Sequence, residues 1–332
     1  MLVDALRAHS TALVVIVVLF LVRGFGDERL PAGATFGRGY VPVAGTTFTE
    51  VDEQARATLS IAFEAVLFEE QSAFQHVMVL QSTFFGNILV IDGALQMTER
   101  DEAHYHEMLA HVPMAYRAAS GSRDDDVLII GGGDGGVLRQ VLRHDSVRRV
   151  QLVDIDETVV RAARQHLRGM ADAFDNERAQ VTIGSGMDYV SDASDRFDVV
   201  VVDSTDFANA SELFTHDFFT AAKDRMYPDG GSLLAVNVDS PSWGLDTVEA
   251  AVNQLEQVFA HVRLFQAFTP TYASGHYSFA IASDDIDALA AVDDAVAAAR
   301  AFPFLARLHY YTPEMHRGAF ALPAYLRRVL AK

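Results

Sequence analysis

Apolar and polar positions alternate with three different periods along the 332-residue chain. An uncharged apolar run at residues 12–22 comes first, shorter than the roughly 20 residues that a bilayer-spanning helix needs. The nearest small-x-small cleavage pattern, at residues 32–34, lies beyond the charged Asp27, Glu28 and Arg29. Residues 11–25 are therefore read as a membrane anchor or uncleaved signal sequence, against the alternative of a buried or partner-packed helix. Arg7, Arg23 and Arg29 do not fix an orientation. Residues 48–96 carry the runs AFQHVMVLQS and GNILVIDGALQMT, with Gly86 and Asp92-Gly93 supplying turn chemistry, which predicts a small antiparallel sheet.

From Asp126 onward short β-branched runs alternate with amphipathic stretches: VLIIGG, VLRQVLRH, VQLVDID, TVVRAARQHL, VTIG and FDVVVVDS. That alternation predicts an α/β fold with a doubly wound, Rossmann-like parallel sheet. The later runs GSLLAVNV, HVRLFQAF and HYSFAIAS complete the sheet, with a helix over 247–259 and an alanine-rich helical connection over 285–301. The expected division is an apolar segment at 1–45, a small β domain at 46–120 and the Rossmann-like domain at 121–332.

Composition narrows the chemistry. Forty-five acidic against 26 basic residues give a formal charge of −19, which repels nucleic acid and concentrates small cations. With no cysteine, disulfides, thiolate metal sites and cysteine nucleophiles are excluded, and the work falls to carboxylates, imidazoles and hydroxyls. The string Gly131-Gly132-Gly133-Asp134-Gly135-Gly136 follows an apolar strand and opens a helix, so Gly131, Gly133 and Gly136 match a G-x-G-x-x-G turn. Asp154, about 20 positions on at the end of the next strand, is placed to accept hydrogen bonds from ribose hydroxyls. Inside that turn Asp134 would repel a pyrophosphate and suits a ligand carrying a sulfonium or an amine. This points away from NAD and toward S-adenosyl chemistry, on a sheet of the type used by S-adenosylmethionine-dependent methyltransferases.

Six separated blocks carry a more specific likeness: Ser72-Ala73-Phe74-Gln75, IDGALQMTERDEAHYHEMLAHVPM, VLIIGGGDGGVLRQVLRH, VVDSTD, PTYASGHYSF and LHYYTPEMHRGAFALPAYL. In this order, over residues 72–326, the chain resembles the spermidine synthase family. The resemblance implies aminopropyl transfer from decarboxylated S-adenosylmethionine to a putrescine-like amine, giving a spermidine-like product and methylthioadenosine. It implies a cytoplasmic homodimer or homotetramer that uses this co-substrate with no metal and no tightly bound cofactor. Residue by residue, it implies that Gln75 and Asp154 hold the nucleoside, Asp134 the aminopropyl amine, and Asp203 the catalytic step. Asp206 matches a carboxylate lining the acceptor channel, and Gln96, Tyr105, His106 and Tyr272 match residues around the acceptor amine.

The residue types fit the reaction. An amine with an ordinary pKa of about 10 must lose a proton before it can attack carbon, so a carboxylate has to take or relay that proton. The leaving thioether is neutral and calls for no metal. Three departures bear on the substrate. Ser185 in Gly184-Ser185-Gly186 stands where the family has an aspartate for the adenine amino group. Phe207 follows Asp206 in place of a proline, and Asn237 and Asp239 stand for a longer glutamine and glutamate. Two rival readings remain at this point: a methyltransferase using intact S-adenosylmethionine, and a non-catalytic polyamine-binding protein. Asp134 with the Asp203 and Asp206 pair argues against the first, and retention of both aspartates against the second.

Overall fold

The computed structural model of the chain describes residues 47–52, 55–192, 194–205, 210–228 and 231–329. The apolar run at residues 12–22, Asp206 and Phe207 lie outside the described residues. Among the described residues no helix is long and apolar enough to cross a membrane.

Strands β1 (Thr47–Asp52) and β2 (Ala57–Ala62) form an antiparallel pair, and β3 (Ala65–Gln71), β4 (His76–Ser82), β5 (Gly86–Ile91) and β6 (Ala94–Thr98) form an antiparallel meander. Between β5 and β6, Ile91 pairs with Ala94 across Asp92 (φ 49°) and Gly93 (φ 76°). Both central residues are left-handed, the mirror-type turn whose twist matches that of the strands. The period-two runs then place Met78, Leu80, Ile88 and Val90 against Phe48 in a small core. Val77, Val79, Leu89 and Ile91 point the other way, into the main core.

The larger sheet has the order β12–β13–β11–β10–β7–β8–β9, with ranges β7 (Asp125–Gly131), β8 (Val147–Asp154), β9 (Ala179–Ile183), β10 (Val199–Asp203), β11 (Leu233–Asp239), β12 (His261–Phe268) and β13 (His276–Ser283). Within it only β13 runs against the others. The unbroken apolar runs of β7 and β10 are the mark of strands covered on both faces. Alternate residues go to opposite layers: Val127, Ile129, Val199 and Val201 to one core, and Leu128, Ile130, Val200 and Val202 to the other.

Helices follow the strands: α1 (Glu102–Ala119), α2 (Gly136–Val141), α3 (Glu157–His166), α4 (Arg168–Ala171), α5 (Gly186–Asp192), α6 (His216–Asp224), α7 (Leu245–Glu256), α8 (Val292–Ala299), α9 (Pro313–Ala319) and α10 (Ala324–Arg327). Helix α1 is buried on nearly every side and packs against α2, α8 and strands β10 to β12, although the expected division at residue 120 assigns it to the β domain. The alanine-rich stretch is helical only from Val292. Before it, Ser283 Oγ accepts from the N–H of Asp285 and Ile286, and Asp287 Oδ1 from Leu289 and Ala290, local turns that compete with a helix. Strand order reverses between β7 and β10, which places a crevice at their carboxyl ends, where open α/β sheets bind ligands.

Candidate active site

The crevice begins where β7 ends. Gly131 has φ 82°, and a Cβ there would lie 2.1 Å from the carbonyl oxygen of Asp203, so only glycine allows β7 and β10 to close this tightly. The pairing is sealed by the Gly132 N–H, which donates to that carbonyl at 2.8 Å. Gly133 donates its N–H to Asp154 Oδ2 at 2.9 Å, and a Cβ on it would come within 2.6 Å of the same oxygen. The other oxygen of Asp154 accepts from the Asp156 N–H at 2.8 Å. Burial pushes the Asp154 carboxyl up to about 6 against these two hydrogen bonds.

Asp134 projects from the same turn. Its Oδ1 accepts from the Gly136 N–H at 2.7 Å and its Oδ2 lies 3.3 Å from His106 Nε2. Burial favours the neutral acid there, but the charge and hydrogen bond of His106 hold Asp134 below the usual carboxylate range. Asp203 ends β10, and its Oδ1 accepts from the Tyr105 hydroxyl at 2.8 Å. Burial, and after it the charge of Asp134, pushes Asp203 up to about 7, opposed by His106 and Tyr105. A carboxyl in that range exchanges protons near neutral pH, as a general base requires.

Turn and strand ends open into a cavity of about 500 Å³ whose wall carries Glu50, Asp52, Asp92, Asp134, Asp154, Asp203, Glu212 and Asp239. Among the described residues lining it there is one imidazole, His106, and no lysine or arginine. Such a wall attracts an organic cation and repels an anion. Tyr105, Tyr272 and Tyr277 form one aromatic side, with ring centroids 5.0–6.1 Å apart. Tyr272 donates its hydroxyl to the Gln96 carbonyl at 2.8 Å, and Gln96 and Gln75 both reach the lining. The loop holding Gln75 is tied across to the stretch after Asp154. Ser72 Oγ accepts from the N–H groups of Phe74 and Gln75 and donates to Asp156 Oδ2 at 2.6 Å. Asp239 lines the far side in a left-handed conformation, φ 89°, where the register of β11 with β13 shifts after Asn237. A backbone strained at a cavity wall points to use.

Two of the residues expected in the site stand elsewhere. Gly136 does not reach the cavity; a Cβ on it would lie 2.2 Å from the His106 ring, so its bareness makes room for that histidine. Ser185 does not line the cavity either, because its hydroxyl accepts from the Asp188 N–H at 3.1 Å and so supports the first turn of α5, while neighbouring Gly186 does line it. Asp206 is outside the described residues. Three participants escaped the sequence reading: Tyr277 and Trp243, which line the cavity, and Glu102, which lies one helical turn before His106, a spacing that flags a contact. Asn237, which stands for the family's glutamine, lines the cavity and donates to the Ser204 carbonyl at 2.8 Å. His106, Asp134 and Asp203 each offer a ligand atom within 4.8 Å of the others, but a metal would have to displace the proton held on His106 between two carboxylates, so the trio is not assigned to one.

The profile described as "Spermine/spermidine synthase domain" matches residues 102–292, and that described as "Spermidine synthase tetramerisation domain" matches residues 47–99. The chain is 36% identical over 266 residues to polyamine aminopropyltransferase 1 of Bacillus cereus, covering 78% of this chain and 90% of that one. It is 35% identical over 274 residues to the polyamine aminopropyltransferase of Thermotoga maritima, covering 82% and 89%. Among solved structures, a spermidine synthase in complex with the transition state analogue AdoDATO is similar with a TM-score of 0.80 and 33% identity, covering 89% of this chain and 98% of that one. The spermidine synthase of Thermotoga maritima is similar with a TM-score of 0.78 and 32% identity, covering 91% and 99%.

Proposed function

The chain belongs to the spermine/spermidine synthase family and is a polyamine aminopropyltransferase, and we propose on that premise that Asp203 takes the proton of the attacking amine. Decarboxylated S-adenosylmethionine is the co-substrate. A polyamine nitrogen attacks the aminopropyl carbon beside the sulfonium, the new C–N bond forms as the C–S bond breaks, and methylthioadenosine leaves as a neutral thioether. The proton lost from nitrogen passes to Asp203 and from there to solvent.

The observation that carries this reading is the placement of the Asp203 carboxylate, which accepts from the Tyr105 hydroxyl at 2.8 Å in the wall of a cavity lined by acidic residues, where burial and the charge of Asp134 raise its basicity. An ordinary carboxylate near pKa 4 is a poor partner for an ammonium near 10, and Asp203 at about 7 halves that gap. We assign Asp154, Gly133 and Gln75 to the nucleoside and Asp134 to the aminopropyl amine. Tyr105, Gln96, Tyr272 and Asp239 face the acceptor, in company with Trp243 and Tyr277, and Asp206 is proposed to join them. Intact S-adenosylmethionine is disfavoured because its extra carboxylate would enter beside Asp134, where the one imidazolium is already held between Glu102 and Asp134. Mass spectrometry of products tests the reading: methylthioadenosine and an aminopropylated amine are expected from the decarboxylated donor, whereas a methylated amine from intact S-adenosylmethionine would overturn it.

The family matches also support a domain junction near residue 100 and a homodimer or homotetramer built through residues 47–99, which light scattering tests. Membrane attachment of a cytoplasmic enzyme through residues 11–25 is a further proposal. Fractionation of the full chain beside a version starting at Thr46 decides it, and equal solubility without detergent would count against an anchor.

A further inference from the structure

Asp134 and Asp203 face the same cavity, and close carboxylates ordinarily share a proton rather than both ionise. Behind them runs a line of alternating charge. Arg139 Nη2 on α2 donates to both oxygens of Glu102, at 2.6 and 2.7 Å. Glu102 Oε2 on α1 lies 2.7 Å from His106 Nδ1, and His106 Nε2 lies 3.3 Å from Asp134 Oδ2. We propose that Glu102 is a positioning residue for the transfer: anchored by Arg139, it fixes His106 as an imidazolium aimed at Asp134, which lets Asp134 and Asp203 be ionised together when the amine arrives.

Geometry carries this. A neutral imidazole has one N–H, and His106 has a carboxylate oxygen against each ring nitrogen, so only the doubly protonated ring satisfies both. The ring is buried, set edge-on to Tyr105 with centroids 5.4 Å apart and closed in by the bare Cα of Gly136, which leaves no room to turn aside. Glu102 is occupied by Arg139 and is not free to take the proton itself. The titration behaviour concurs. Burial would lower His106, but Asp134 and Glu102 push it up to about 10, and burial would raise Glu102, but His106 and Arg139 hold it down at about 2. The charged and titratable groups around this line are Tyr105 and Glu102 on α1, Arg139 on α2, Asp134 in the glycine turn, Asp154 at the end of β8, Asp203 on β10, and Tyr272 and Tyr277 opposite.

This inference rests on the assignment of Asp203 as the base, and its test separates the two. Glu102→Gln keeps the shape and removes the charge. It should move the acid limb of the kcat/KM profile up by about one pH unit and lower turnover near pH 7 roughly tenfold, with methylthioadenosine affinity within about threefold of wild type. A profile that keeps its midpoint, whatever its height, overturns the proposal. Nitrogen NMR of wild-type His106, assigned by loss of its signals in His106→Gln, needs no folded Glu102 variant. Both ring nitrogens should be protonated at about pH 8, well above the ordinary imidazole pKa of about 6.5, and a neutral ring there overturns the proposal. If wild type forms no aminopropyl product from any amine, the Asp203 assignment falls, and NMR still decides the state of His106.

Discussion

The two ends of the cavity are built differently. The end proposed for the nucleoside is organised by backbone: the Gly133 N–H and the Asp156 N–H converge on Asp154, and glycines let β7, β8 and β10 crowd together. The end proposed for the acceptor is made of side chains from distant parts of the chain, with Tyr105 from α1, Asp203 from β10, Asp239 from β11 and Tyr272 and Tyr277 from around β13. A backbone cradle is rigid and tolerates little change in side chains, whereas a side-chain wall can be altered one residue at a time. Donor recognition is therefore expected to be fixed and acceptor choice adjustable.

Substitutions can break or sharpen this contrast. Among the substitutions that probe the two ends, the largest effect should come from Gly133→Ala, whose added Cβ meets Asp154 Oδ2 at 2.6 Å and displaces that carboxylate. Calorimetry should show methylthioadenosine affinity reduced roughly 10- to 100-fold, the value of a lost charge-assisted hydrogen bond, while the KM for amine changes little. Equal loss on both substrates would show that the two ends are not separable. Tyr105→Phe comes next and touches only the acceptor end. Loss of its hydrogen bond to Asp203 should cut turnover by about tenfold and move the acid limb of the rate profile upward, because that bond favours the ionised carboxylate. A downward shift would contradict it. The smallest effect is expected from Ser72→Ala, which frees the Gln75 loop from Asp156. A rise of about threefold in donor KM with kcat intact is the expected steady-state result.

The same contrast explains what could be read in advance. The glycine turn, Asp154 and the two-layer sheet are local or strictly periodic features, so spacing alone reveals them, down to the Asp92-Gly93 turn. Chain-wide contacts are not periodic. Nothing local to Trp243 or Tyr277 announces a cavity, and the register shift between Asn237 and Asp239 on the same wall is not written in the alternation of β11. Ser185 shows the opposite failure: standing where the family has an aspartate for the adenine amino group, it was expected to touch the nucleoside, and its hydroxyl instead supports the first turn of α5. Gly136 matched the turn pattern for a reason the pattern does not contain, the space required by His106.

The central claim is that Asp203 is the base, and Asp203→Asn tests it by two independent readouts. Its folded pKa of about 7 lies above the ordinary 3.8, so burying the charge costs stability that grows as pH rises from about 4 to about 7. The variant should accordingly melt a few degrees higher than wild type near pH 8 and no higher near pH 4. The decisive measurement is single-turnover formation of methylthioadenosine by both proteins across pH, with putrescine, cadaverine, spermidine and agmatine as acceptors. Wild type should show a rate that rises through about pH 7, and Asp203→Asn a rate lower by roughly 10²- to 10⁴-fold with nucleoside affinity little changed. An Asp203→Asn enzyme as fast as wild type, with the same pH dependence, would contradict the account.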